Sequence, residues 1–410
     1  MTIAAVTTLE AQDPAFVDQT VEADPVDFYG YRDLLTTDER ARLAALRDFL
    51  ETEVAPIADD YWERAECPRH LFLPLADLGM YGAGFTDVAD FDNSALFRGW
   101  VSYELARADS SVATMAGVHS GLAMNSVAIG GSDEQRADLL PRMARGEIVG
   151  AFGLTEPLSG SDTARGIRTT ARRDGDAWVL NGAKRWIGNA TFADIVIIWA
   201  RDVADGNVKG FIVPGGTPGF TATKIERKQS LRAVENADIT LTDARVPESS
   251  RLARVRSFRD VARILRQTRC DVAWQALGNG VGAYEAAAAY ARTREQFGKP
   301  IGANQLVQSK LVTCLTEITA SIALCTRTAQ LQEAGTLTDQ QSAMAKATVS
   351  ERMRRVVSLC REVLGGNGIQ LDYGVARRFA DAEAIYTYEG TFDMNNLIVG
   401  REITGIPAFV

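Results

Sequence analysis

The order of apolar and polar positions divides the chain into three stretches. From residue 36 the pattern is helical. Thr36-Thr37-Asp38-Glu39 has the spacing of a capping box, with Thr36 reaching forward and Glu39 reaching back. Leu43, Leu46, Phe49 and Leu50 then recur at helical intervals. Helical pieces continue over 69–148. Among them, DSSVATMAGVHSGLAMNSVAIGG is apolar nearly all round, which predicts a buried helix. SDEQRADLLPRMARGE reads as a Ser- or Asp-capped helix running into a turn.

Near residue 149 the period changes. VGAFGLTEP, IRTTARRDG, DAWVLNG, IVIIWARD, KGFIVPG, FTATKIE and ADITLTDARVP are short, often β-branched, and punctuated by Gly, Pro, Asn and Asp. That spacing predicts an all-β domain over 149–252, with Asn181-Gly182 as a hairpin-turn signal. After about residue 253 long amphipathic patterns return, as in QLVQSKLVTCLTEITASIALCTRTAQLQEAG and DQQSAMAKATVSERMRRVVSLCREVLGG. Helices of this length predict a four-helix bundle over 253–410. Residues 1–35 read as a loose N-terminal arm. The expected organisation is therefore α+β: arm (1–35), all-α domain (36–148), β domain (149–252) and helical bundle (253–410).

Composition narrows the chemistry. A chain of 410 residues is long enough for two or three domains. Its formal net charge of −9 disfavours nucleic acid, so an anionic ligand needs local cationic patches. His70 and His119 are the only histidines, which pushes any catalytic base toward a carboxylate. The five cysteines form no CxxC pair. Cys270, Cys314, Cys325 and Cys360 lie among apolar residues and read as buried, reduced thiols. The N-terminus lacks a basic start followed by a long apolar run, and no uninterrupted apolar stretch reaches bilayer length, so the expected location is the cytoplasm.

Five segments are candidates for chemistry. AFGLTEPLSGSD (151–162) crowds small and polar residues after an apolar strand, exposing N–H groups and hydroxyls to a flavin edge or pyrophosphate, or serving only as a strand-to-loop junction. In LNGAKRWIGNATFAD (180–194), Trp186 can stack on an aromatic cofactor or pack in a core. In ARTREQFGKPIGANQ (291–305), Arg294 can take a phosphate or answer a helix dipole. LGGNGIQLDYG (364–374) is Gly-rich without a dinucleotide fingerprint. In AIYTYEGTFDMNNLIVGREITG (384–405), Glu389 can be a base whose pKa an aromatic and apolar setting raises, or only a helix N-terminal glutamate.

Taken together, GLTEPxxGSD, KRWI, RxQFG, LGGNG and YEGT, in this order on an α–β–α layout, resemble the acyl-CoA dehydrogenase family from about residue 27 to the end. The resemblance implies an N-terminal helical domain, a middle β-barrel-like domain, a C-terminal four-helix bundle and a homotetramer binding FAD. It implies flavin contacts from Phe152, Leu154, Thr155, Ser161, Trp186 and Ile187. Arg294, Gln296, Phe297 and Gln305 match the segment that reaches FAD of a partner subunit, and Gly365, Gly366, Thr391 and Asp393 match other positions near the cofactor. Ser161, Arg269, Tyr388, Glu389, Gly390 and Arg401 match the substrate side. Glu389 matches the base that removes the α-proton of an acyl-CoA thioester. The thioester oxygen would be held by the Glu389 N–H and a ribityl hydroxyl. Electrons would pass to an electron-transfer flavoprotein.

The branches most similar to this chain are the glutaryl-CoA dehydrogenases and the plant short-chain acyl-CoA oxidases. The Glu and Arg that engage a distal carboxylate in the glutaryl enzymes fall on Ala106 and Ala113 here. Alanine cannot pair a carboxylate, which argues for a short, unsubstituted straight chain instead. Gly188 stands where most dehydrogenases of the family carry Thr, and its lack of a side chain would open room for oxygen. An oxidase making hydrogen peroxide is the alternative, with a flavin monooxygenase or a non-catalytic scaffold further off.

Overall fold

A computed structural model describes residues 26–408. Of the expected loose arm, residues 1–25 lie outside the described residues. Residues 26–35 depart from the expectation: Val26 and Leu35 are buried in the core, and Asp27 ties the backbone N–H of Tyr31 at 2.8 Å. An apolar pair flanking a satisfied turn anchors this segment.

The first helices are α1 (Thr37–Phe49), α2 (Ala55–Arg64), α3 (Phe72–Asp77) and α4 (Ala95–Ala108). Then come α5 (Ser110–Gly117), α6 (Asn125–Gly130) and α7 (Asp133–Ala144). The capping box at Thr36 and Glu39 forms as the spacing predicts, and Ser132 with Gln135 makes a second one. A π-helical segment, Val118–Met124, joins α5 to α6. The run Ser110–Gly130 is long and apolar enough to cross a membrane, with mean hydropathy 1.2, yet half of it is buried inside the molecule.

Seven strands follow: β1 (Gly150–Gly153), β2 (Thr170–Asp174), β3 (Ala177–Gly188), β4 (Ile195–Asp202), β5 (Val208–Pro214), β6 (Phe220–Lys224) and β7 (Asn236–Pro247). A short helix, α8 (Thr163–Gly166), lies between β1 and β2. The strands form one curled sheet. β4 pairs with β5 on one side and with β1 and β2, both parallel, on the other. β2, β3, β7 and β6 continue antiparallel. Ile195–Ala200 of β4 is buried throughout, as expected of a strand covered on both faces.

Asn181-Gly182 is not a hairpin turn. Both residues lie within β3, at a bulge opposite β7, and a Cβ at Gly182 would meet the Thr169 backbone at 2.7 Å. The hairpin between β2 and β3 turns instead at Gly175, whose φ is 67°. The glycine at 182 answers close backbone approach rather than chain reversal.

The chain closes with α9 (Phe258–Thr293), a small hairpin of β8 (Glu295–Gln296) and β9 (Lys299–Pro300), α10 (Gln305–Glu333), α11 (Asp339–Leu364), α12 (Ala376–Thr387) and α13 (Phe392–Thr404). α9, 36 residues long, is the spine: it packs on α4, α10, α11 and α12. Close approach to α4 requires glycine, since a Cβ at Gly278 would collide with the Tyr103 carbonyl. All five cysteines are buried free thiols, Cys67 included.

Candidate active site

The chain reverses between α12 and α13 through two left-handed residues, Glu389 (φ 54°) and Gly390 (φ 86°). A left-handed glutamate is strained, and its neighbours hold it. Lys346, buried in α11, donates to the Tyr386 carbonyl at 2.7 Å and to the Gly390 carbonyl at 2.9 Å, one on each side of Glu389. Asn395 donates to Gly390 at 2.8 Å, and Thr391 caps α13 by accepting the Met394 N–H at 3.2 Å. Asp393 is exposed in the first turn of that helix.

This turn aims Glu389 at α9, where the Thr268 hydroxyl donates to Oε2 at 2.9 Å. Burial raises the Glu389 carboxyl above its ordinary range, against the opposing pull of Thr268, Arg269 and Lys346. Burial also lowers Arg269, whose Nε has no hydrogen-bond partner among the described residues. The Glu389 N–H likewise makes no hydrogen bond among the described residues. Tyr388 donates its hydroxyl to Gln275 Oε1 at 2.9 Å. One small volume therefore holds a carboxylate ready to accept a proton, a free backbone donor and a desolvated cation.

A second group of expected residues converges on the sheet. The Arg185 N–H donates to the Thr155 carbonyl at 2.8 Å, bringing the segment 152–155 beside 184–187. Buried Lys184 fastens the junction, donating to the Leu154 carbonyl at 3.1 Å and to Glu156 at 2.8 Å. Desolvation pushes Lys184 down to about 8 while its charge holds Glu156 low. Phe152, Leu154 and Ile187 are buried, Thr155 is partly buried and Ser161 is exposed in the following loop. Trp186 breaks the strand geometry with φ 65° and leaves its indole 51% exposed. A large aromatic face held open beside a polar loop fits a planar cofactor such as a flavin.

The remaining expected residues lie elsewhere. Arg294, Gln296, Phe297 and Gln305 are exposed around the β8–β9 hairpin, beyond the end of α9. About 38 Å of helix separates Thr268 from Thr293. Gly365 and Gly366 sit at this same far end, where Asn367 donates to the Tyr290 hydroxyl at 2.9 Å. Both glycines are exposed, with nothing near their Cβ positions. Arg401 is exposed in the last turn of α13, about 14 Å along the axis from Phe392, and the fold does not bring it to Glu389.

The room expected at Gly188 is filled. A Cβ there would stand 3.0 Å from Val118 Cγ2, so the π-helical segment supplies the bulk that position 188 lacks. Thr268, Lys346 and Val118 escape sequence reading because each meets the site from a distant segment.

Three family models match the chain: "Acyl-CoA dehydrogenase, N-terminal domain" over 36–147, "middle domain" over 151–244 and "C-terminal domain" over 258–404. An acyl-CoA dehydrogenase of Bacillus subtilis (strain 168) is 33% identical over 372 residues, covering 88% of this chain and 96% of that protein. A glutaryl-CoA dehydrogenase from Mycobacterium smegmatis in complex with FADH2 superposes with TM-score 0.91 at 35% identity, covering 94% of this chain and 99% of that one. Butyryl-CoA dehydrogenase from Megasphaera elsdenii superposes with TM-score 0.86 at 31% identity, covering 90% and 99%.

Proposed function

The chain belongs to the acyl-CoA dehydrogenase family, and on that premise we propose that it dehydrogenates a short-chain acyl-CoA to the trans-2-enoyl-CoA with Glu389 as base. The observation that carries this reading is the strained Glu389 turn, whose carboxylate is bonded by Thr268 and raised by burial while its own N–H stays free.

The family's cofactor is FAD, and Phe152, Leu154, Thr155, Trp186 and Ile187 fit its flavin end. When bound, FAD supplies the acceptor for the β-hydride. This chain's residues do the rest. The free Glu389 N–H donates to the thioester carbonyl oxygen, where negative charge develops as the α-proton leaves. Glu389 takes that proton, and a carboxyl raised by burial is a stronger base than an exposed one. Arg269 balances the charge of the ionised carboxylate. Strain held by Lys346 spares the loop from reorganising during the reaction.

Ala106 and Ala113 are both buried, and an alanine methyl offers no cation to a distal carboxylate. This supports an acyl group other than glutaryl. Val118 packing on Gly188 favours a dehydrogenase passing electrons to an electron-transfer flavoprotein over an oxidase.

Anaerobic addition of butyryl-CoA to the purified holoenzyme is expected to bleach the flavin band, and the bleached state should persist in air. Fast recovery in air marks an oxidase and overturns the dehydrogenase reading. Glu389→Gln is expected to retain flavin and slow bleaching by about 10²–10⁴-fold. Near-normal bleaching by that variant would move the base elsewhere.

A further inference from the structure

Two thiols in the helical bundle face each other and take no part in the chemistry at Glu389. Cys314 of α10 and Cys360 of α11 stand with their Sγ atoms 4.0 Å apart, both buried. Cys314 also donates to the Val356 carbonyl at 3.8 Å. The pair lies inside a ladder of contacts that sets the register of the two helices. On one side Lys310 meets Glu362 at 2.8 Å. On the other, Glu317 meets Arg355 at 3.1 Å and Arg352 at 3.4 Å. Positions 310, 314 and 317 of α10 run against 362, 360 and 355 of α11.

Facing thiols can share a metal or join each other, and the surroundings decide between the two. A structural metal site needs more than two ligands. Among the described residues, no group of three or more His, Cys, Asp or Glu side chains is placed to hold a metal ion. A disulfide needs only this pair. The Sγ atoms must close from 4.0 Å to about 2.0 Å, a movement that rotation of two side chains supplies while the helices keep their register. The other cysteines have no thiol within hydrogen-bonding reach among the described residues: Cys67 donates to Met115 Sδ at 3.6 Å and Cys270 to the Arg266 carbonyl at 3.7 Å. Less than one turn of α10 separates Cys314 from Glu317, whose partner Arg355 is 61% exposed, so the pair lies close under the surface.

The two thiols are not equivalent. The hydrogen bond from Cys360 holds the Cys314 thiol below its ordinary range; burial opposes this and the Arg355 charge adds to it. Cys360, the donor, is raised well above its own. Cys314 is thereby the thiol that ionises and attacks, and Cys360 the one that resolves.

We propose that Cys314 and Cys360 form a reversible disulfide under hydrogen peroxide, stapling α10 to α11. The Cys314 thiolate attacks one peroxide oxygen. The O–O bond breaks, hydroxide leaves and takes up the proton that Cys314 gave, and Cys314 becomes a sulfenic acid. Cys360 then attacks that sulfur, and the oxygen departs as a second water. Two thiols are oxidised to one disulfide and one peroxide is reduced to two waters. The bond joins residues 46 positions apart, which restricts the unfolded bundle and so favours the folded one. Nothing in this step depends on the acyl-CoA reaction.

Native holoenzyme is treated with hydrogen peroxide, quenched, unfolded in an alkylating reagent and weighed by mass spectrometry. The alkylated thiols are expected to fall from five to three, with about 2 Da lost from the unalkylated chain and both changes reversed by dithiothreitol. Proteolysis should yield one linked pair of peptides, carrying Cys314 and Cys360. The thermal midpoint of the oxidised protein should rise by several degrees and return on reduction. Cys360→Ser removes the resolving thiol, so the cross-link is lost and Cys314 is trapped about 16 Da heavier as the sulfenic acid. Cys314→Ser should leave Cys360 unoxidised. Five thiols after treatment, a linkage through any other cysteine, or a cross-link that survives either variant overturns the inference. A linked chain whose midpoint does not rise overturns the staple.

Discussion

Glu389, the base proposed above, stands out in the sequence because its signal is local. The segment YEGT places a carboxylate between an aromatic ring and a glycine in four consecutive positions. Its controllers were hidden. Thr268 meets it from 121 residues away, and Lys346 reaches the same turn from another helix. Neither carries a pattern that differs from an ordinary helix position, so only the folded chain joins them. Thr268→Val tests what that joining does. The hydroxyl stabilises the ionised carboxylate, so its loss raises the Glu389 pKa further. A hydrogen bond to a charged group contributes about 1.5 kcal/mol, or about one pKa unit. The acid limb of flavin-reduction rate against pH is therefore expected to move up by about one unit, with the high-pH plateau kept. A limb that stays where it was would assign Thr268 to packing.

At the scale of elements, ends and caps were legible and internal irregularities were not. The capping box at Thr36 and the cap at Ser132 depend on side chains within three residues and formed, Ser132 with Gln135 completing a box that reads in the sequence only as a cap. The bulge at Gly182 depends on Thr169 of another segment, so the same Asn-Gly pair that would turn a free hairpin runs straight through β3. The π-helical segment was equally invisible, and it is held by His119. The Gly150 N–H donates to Nδ1 at 3.0 Å, and Nε2 donates to the Met143 carbonyl at 3.0 Å. Phe72 and Tyr81 close around the ring. This arrangement admits only a neutral imidazole, and burial lowers its pKa from 6.5 to about 4. Between those values the unfolded chain binds the extra proton, so stability rises with pH across the window. The contribution is complete above pH 6.5 and is lost on acidification toward pH 4, by about 3 kcal/mol. His119→Gln can keep both hydrogen bonds without titrating. Its denaturation midpoint should fall less than the native chain's between pH 6.5 and 4.5, and parallel curves would show that other groups carry the acid sensitivity.

At the scale of the whole molecule, the expected site residues separate into two sets that one chain cannot unite. Phe152, Leu154, Thr155 and Trp186 gather near the α9 end that holds Thr268, while Arg294, Gln296, Phe297 and Gly365 gather at the other end, about 38 Å of helix away. The resemblance assigns Arg294, Gln296 and Phe297 to the FAD of a partner subunit, and the fold puts Gly365 and Gly366 at the same end of α9. The far end also leaves Phe297 96% exposed and Leu306 80% exposed, with Ile369 nearby in sequence to Gly365 and 72% exposed. A patch of large apolar side chains rimmed by Arg294 and Gln305 fits a surface covered by another copy, with the Arg294 guanidinium open to a phosphate of that copy's cofactor. Flavin retention and assembly should then be one equilibrium. Leu306→Glu places a charge in the contact and is expected to lower the mass seen by light scattering. The flavin-to-protein ratio should fall with it, and more steeply on dilution, because each dissociated copy loses the far set of ligands. A smaller species that keeps its full complement of flavin would mean that one chain holds the cofactor alone, and that Arg294 and Phe297 serve the contact and not the site.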